Sequence, residues 1–125
     1  MKNSTVMIAL GGNSIFPKGK TGSIEDQFSQ TRKTMDGLSN FIDLNYNICI
    51  THGNGPQVGN ELLRMDLTNE KVPPLPLGVC VANTQGQIGY IIQQTLQNKL
   101  RDMNIDREVV TLVTQVIIDK NDRSI

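Results

Sequence analysis

Apolar and polar positions along the chain alternate between two periodicities. Val6-Met7-Ile8-Ala9-Leu10 is an unbroken apolar run closed by Gly11-Gly12, the form of a short strand buried on both faces. Further on, Ile24, Phe28, Met35, Leu38, Phe41 and Ile42 recur at three- and four-residue steps. Ser23, with Asp26 in its first turn, resembles a capping box, so the pattern predicts an amphipathic helix of about 20 residues.

Tyr46 to Thr51 reads as a second strand, and Pro56 stands where proline is best tolerated, at the first position of a helix that Leu62, Leu63, Met65 and Leu67 fill. Lys71 to Leu77, with Pro73, Pro74 and Pro76, reads as a loop. Thr84-x-x-Gln87 is a capping-box pattern for a further helix, on which Ile88, Ile91, Ile92, Leu96, Leu100 and Met103 share a face. Val109 to Ile118 reads as a third strand. Strands alternating with helices in this order predict an α/β fold with a mostly parallel sheet, right-handed crossovers and helices on the sheet's faces.

Composition narrows the picture without redirecting it. The 125 residues suit one domain with a core, and 12 basic against 12 acidic residues give no net charge. Nucleic acid and anionic lipid are therefore poor candidate partners. The first apolar run ends too soon for a signal-peptide core or a membrane span, which gives the expectation of a cytoplasmic protein with no membrane partner. Cys49 and Cys80 lie far apart in apolar surroundings with no C-x-x-C pattern, and are read as two buried free thiols. No metal-ligand pattern is present.

The chemistry gathers in the glycines. In open parallel sheets, ligands sit beyond the carboxyl ends of the strands, so Gly11-Gly12-Asn13 and Gly53-Asn54-Gly55 should emerge on the same rim. Glycine lets backbone N–H groups approach a ligand closely, and the helix starting at Pro56 adds partial positive charge from its N-terminus. Asn13 and Asn54 bring uncharged side-chain donors, suited to a phosphoryl group whose charge redistributes during transfer. A single Gly-Gly pair is more often a plain turn. Two matched turns, each after an apolar strand, point to an anion site.

Other signals weigh less. Gly19-Lys20-Thr21 imitates the tail of a P-loop, but position 14 is serine where that motif needs glycine. Gly53-x-Gly55-x-x-x-Gly59 imitates a relaxed dinucleotide fingerprint, with Val58 where the strict form has glycine. His52 is a candidate general base or phosphate donor, although no carboxylate lies near it in sequence, and a hydrogen-bonded structural role is preferred. Lys18 and Lys20 are within reach of an anion across the first loop but read as solvated loop charges. Gly86 and Gly89 permit close approach of substrate or of a neighbouring helix, with packing the preferred cause.

Taken together, Ala9-Leu10-Gly11-Gly12-Asn13, His52-Gly53-Asn54-Gly55-Pro56-Gln57-Val58-Gly59, Thr84-Gln85-Gly86 with Ile88-Gly89-Tyr90, and Thr114-Gln115-Val116 with Asp119 resemble, in order, the motifs of the carbamate kinases in the amino-acid kinase family. Ser14, Gly78, Asn83 and Lys120 depart from the usual pattern, in ways that touch loop detail. The resemblance implies a three-layer αβα sandwich and reversible phosphoryl transfer between ATP and carbamate, giving ADP and carbamoyl phosphate with Mg2+. It further implies the ATP-forming step of arginine breakdown and a homodimer. By the same resemblance, Gly11, Gly12, Asn13, Gly53, Asn54 and Gly55 hold the carbamoyl and transferred phosphoryl groups.

Members of that family are well over twice as long. Residues 1–125 are accordingly expected to be the N-terminal, carbamate- and phosphoryl-binding part of an amino-acid kinase domain. The lysines that neutralise the transferring phosphoryl are expected in the C-terminal part, so the chain alone should turn over little or not at all. Two alternatives accompany this reading: a non-catalytic remnant or regulatory partner of a full-length kinase, and a dinucleotide-binding fragment.

Overall fold

The computed structural model describes residues 4–16, 19 and 22–123. Strand β1, Thr5–Leu10, pairs in parallel with β2, Asn47–His52, in a register running from Thr5 opposite Asn47 to Leu10 opposite His52. A short 3-10 turn, Gly12–Ser14, follows β1. Helices α1, Ile24–Asp36, and α2, Ser39–Asp43, form the crossover between the strands. Helices α3, Gly55–Thr68, and α4, Leu77–Asp102, follow β2. The α/β class and the parallel sheet are as the sequence predicts.

Both strands alternate strictly in burial. Val6, Ile8 and Leu10, with Ile48, Ile50 and His52, turn toward the helices, while Met7, Ala9, Cys49 and Thr51 are exposed on the other face. The first strand is thus covered on one side only, not on both as its apolar run suggests. Of the three expected layers, the described residues form two. Leu10, Ile15, Met35, Leu38, Ile42, Ile88, Ile92, Leu96 and Leu100 make one buried cluster, against which Ile8, Ile48 and Ile50 pack. Each fully buried aliphatic side chain there stabilises the fold by about 1.5–3 kcal/mol relative to exposure.

Several predicted boundaries shift for identifiable reasons. The single helix expected after Ser23 is two, broken at Gly37 and Leu38, where the Leu38 amide donates back to the Met35 carbonyl. The start is as predicted, with the Ser23 hydroxyl accepting from the Asp26 amide at 3.2 Å. Its deeply buried face, however, is Gln27, Thr31 and Met35, while Ile24 is 42% exposed. Helix α4 begins at Leu77, capped by Pro76, and Thr84 lies in its interior. The apolar positions Cys80 and Val81 carry the helical face one full segment further back than the capping-box pattern indicates.

Asn45 and Asn104, with φ of 58° and 55°, end α2 and α4 in the left-handed conformation. In each case two backbone bonds close the helix: Asn104 to Arg101 and Ile105 to Leu100, and likewise Asn45 to Ile42 and Tyr46 to Phe41. These are Schellman closures, and the one at Asn45 feeds the chain directly into β2.

Residues 109–118 are not a strand. The stretch from Arg107 to Thr114 runs extended and antiparallel to α4, bracketed by side chains instead of a backbone ladder. Gln97 donates to the Arg107 carbonyl at 2.9 Å and accepts from the Val109 amide at 3.1 Å; Gln85 accepts from the Thr114 amide at 2.8 Å. Arg107 donates to the Tyr46 carbonyl at 2.7 Å, across a cleft of about 440 Å³ that separates the stretch from β2. A strand needs a neighbour about 4.8 Å away to hydrogen-bond, and the cleft stands where that neighbour would be.

Candidate functional site

The register of the sheet decides where the glycine turns emerge. Leu10 and His52 are the last paired residues of β1 and β2, so Gly11-Gly12-Asn13 and Gly53-Asn54-Gly55 leave the sheet side by side at its carboxyl edge, as the sequence predicts. The first turn goes straight into the 3-10 turn, with the Ser14 amide donating to the Gly11 carbonyl at 2.9 Å and the Phe16 amide to Gly12 at 2.8 Å. Gly11, Gly12, Asn13, Gly53 and Gly55 are exposed, and Asn54 is half-buried.

Packing does not demand glycine at these positions. A Cβ added to Gly11, Gly12, Gly53 or Gly55 would meet nothing within 4 Å, and none of the four has positive φ. Gly22 contrasts with them: its φ is +68° and a Cβ would strike the Phe16 ring. The rim glycines leave backbone open to solvent at a place where an anion would need close approach.

Helix α3 begins on the second turn. Pro56 lies in its first turn, and Asn54 occupies the N-cap without a capping bond from its own side chain. That side chain is turned instead toward α4, where its amide donates to the Thr84 hydroxyl at 2.9 Å, with the Val81 carbonyl 3.5 Å away. The Thr84 hydroxyl in turn donates to the Val81 carbonyl at 2.9 Å. In the first turn of α3, Gln57 donates to the Gln27 side chain at 3.2 Å, and Gln27 donates to the Gly22 carbonyl at 2.9 Å. On the first turn, Thr34 of α1 donates to the Ser14 carbonyl at 2.8 Å.

Sequence reading missed Gln27, Gln57 and the inner role of Thr84. Their signal is available in hindsight. A glutamine at a core-facing helix position breaks the apolar pattern, and a threonine inside a helix bonds back to a carbonyl of its own preceding turn. His52 is half-buried, with Nδ1 3.2 Å from the carbonyl oxygen of the adjacent Gly53. Lys18 and Lys20 lie outside the described residues. Gly89 is explained by packing, since a Cβ would collide with Thr111, although the neighbour is an extended segment and not a helix; Gly86 faces open space. Cys80 is buried as predicted, whereas Cys49 is exposed on the bare face of the sheet.

Two clefts among the described residues lie elsewhere. One runs between α1 and α4 around Arg32, Asp36 and Lys99, and the other separates β2 from the 107–114 stretch; neither is lined by the glycine turns. Among the described residues no group of three His, Cys, Asp or Glu side chains is placed to hold a metal ion. The donor set at the rim, glycine backbone and neutral amides, fits an anion. A magnesium ion at such a rim would find its oxygen ligands on the phosphates of a nucleotide. No helix among the described residues is long and apolar enough to cross a membrane.

Comparison with known proteins shows what the chain as a whole is similar to. The carbamate kinase of Pyrococcus furiosus is 47% identical over 119 residues, covering 94% of this chain, and that of Thermococcus kodakarensis is 48% identical over 120 residues. The chain is a homologue of the carbamate kinases. It spans 38% of the length of both relatives and fits their N-terminal portion. The structure of carbamate kinase from Giardia lamblia bound to AMP-PNP superposes with a TM-score of 0.93 at 33% identity, covering 98% of this chain and 43% of that one. No family model matches the chain.

Proposed function

We propose that this chain is the carbamate- and phosphoryl-binding portion of a carbamate kinase. In that enzyme a phosphoryl group passes reversibly between ATP and carbamate, with Mg2+ accompanying the nucleotide. The observation that carries the reading is the placement of Gly11-Gly12-Asn13 and Gly53-Asn54-Gly55 on one rim by the Leu10–His52 pairing, supported by relatives that bear the carbamate kinase name. Backbone amides of the two turns and the first turn of α3 would hold the phosphoryl oxygens, and the side chain of Asn13 would add a neutral donor.

Carbamoyl phosphate is bound there in the productive state, its phosphoryl group toward the glycine turns. Transfer to ADP leaves carbamate at the rim, and the ATP-forming direction places the protein at the end of arginine breakdown, as a cytoplasmic homodimer. Because phosphoryl transfer depends on positioning and on cations around the transferring group, and the donors that the described residues place at this rim are neutral, the 125-residue chain alone has little or no turnover.

The test is a titration of the 15N-labelled chain with carbamoyl phosphate. Amide shifts confined to Gly11, Gly12, Asn13, Gly53, Asn54 and Gly55, and lost in Gly53→Val, are the expected result. A folded chain whose rim amides do not respond would refute the reading. ATP formation from ADP, Mg2+ and carbamoyl phosphate, measured in parallel, is expected at background; turnover that disappears in Asn54→Ala would show that the chain suffices alone.

A further inference from the structure

Between β2 and α3 the second glycine turn is tied down on both sides. Asn54 is fastened to Thr84 of α4, and Gln57 to Gln27 of α1, which is itself bonded to the Gly22 carbonyl. Thr84 is fully buried, and Gln27 and Gln57 are 4% and 5% exposed. An aliphatic side chain at any of these three positions would suit the core better on burial alone, because a buried amide or hydroxyl costs free energy that its hydrogen bonds must offset. Polar groups kept at core positions fix geometry, since each has one arrangement that satisfies it.

The two ties differ in what they hold. The Asn54–Thr84 bond sets the turn against the helix that packs on the sheet, and the Gln57–Gln27 bond sets the first turn of α3 against α1. Since α1 also holds the first glycine turn through Thr34 and the Ser14 carbonyl, the relative position of the two turns depends on α1 at both ends. We propose that Thr84 and Gln27 are positioning residues, which hold the Gly53-Asn54-Gly55 turn rigid and aligned with Gly11-Gly12-Asn13 for an anion.

This inference rests on the phosphoryl-binding reading for its purpose, but the tie itself is measurable without a ligand. Backbone order parameters of Gly53, Asn54 and Gly55 would be recorded for the 125-residue chain, for Thr84→Val, for Thr84→Ser and for the double variant Gln27→Leu/Gln57→Leu. Inorganic phosphate would then be titrated into each.

In the parent chain the turn is expected in the rigid range, near 0.85, falling toward 0.6 in Thr84→Val and in the double variant. Phosphate affinity should fall by about tenfold, the effect of one or two net hydrogen bonds. Thr84→Ser keeps the hydroxyl and should restore both readouts, which a merely space-filling role for the side chain would not predict. Unchanged order parameters and affinity in the folded Thr84→Val and double variants would overturn the proposal. Should Thr84→Val fail to fold, the double variant decides, because it replaces both partners of the other tie with apolar groups. A loosened turn in a protein whose parent form binds no phosphate would uphold the tie and refute the anion reading.

Discussion

Leu10 stands opposite His52 at the end of the parallel ladder, and this pairing brings the two glycine turns out of the sheet beside each other. A comparison of two exposed glycines tests whether the rim is special. Gly12 lies on the first turn and Gly59 on α3, and a Cβ at either would meet nothing within 4 Å. Gly12→Val and Gly59→Val should each change stability by no more than about 0.5 kcal/mol. Only Gly12→Val should abolish the amide shifts caused by carbamoyl phosphate. Equal loss in both would mean that the response is not local to the rim.

The start of α1 offers a second expectation. The Ser23 hydroxyl accepts from the Asp26 amide, and Glu25 and Asp26 place negative charge in the first turn. Ser23→Ala should destabilise the chain by about 1 kcal/mol, and Ser23→Asp should leave stability near the parent value. Urea denaturation followed by circular dichroism measures both, and an unchanged midpoint for Ser23→Ala would count against the cap.

Most of what positions the site was legible in the sequence, because it rests on local rules. The strand-to-glycine transitions at Leu10 and His52, the cap at Ser23 and the proline in the first turn of α3 each follow from a few adjacent residues. What sequence reading missed depends on partners distant in the chain. Thr84 looks like a cap by spacing, and only the contact with Asn54 reveals it as a buried tie inside α4. Val109 to Ile118 has strand-like composition, yet strand formation needs a backbone neighbour, and Gln85 and Gln97 hold the 107–114 stretch by side chains. The phase of α1 was misread because Gln27 and Thr31, polar in type, occupy its buried face.

The two thiols should separate cleanly in reactivity. Cys49 is exposed on the open face of β2, whereas Cys80 is 1% exposed, with Sγ 3.4 Å from the Pro76 carbonyl. Under native conditions a maleimide should label Cys49 and spare Cys80, and both should react in denaturant. Mass spectrometry of the labelled peptides reads the result. Native labelling of Cys80 at the rate of Cys49 would mean that the start of α4 opens readily.

The contact between α4 and the extended 107–114 stretch can be tested at its tightest point. A Cβ at Gly89 would lie far inside van der Waals distance of the Thr111 Cγ2 methyl, and 3.0 Å from its hydroxyl oxygen. Gly89→Ala gains roughly 1 kcal/mol of helix propensity, but overpacking costs about 1–3 kcal/mol, and at this separation the steric term should win. The variant should therefore be less stable than the parent, with the stretch displaced from α4 and the Gln85 and Gln97 brackets weakened. Removing the methyl in Gly89→Ala/Thr111→Ser should recover much of the loss, since the tightest contact goes and only the hydroxyl and Cβ contacts, at 3.0 and 3.2 Å, remain. Thermal unfolding of the two single variants and the pair gives the coupling directly. If the effects of Gly89→Ala and Thr111→Ser simply add, the stretch does not rest on α4 at Gly89.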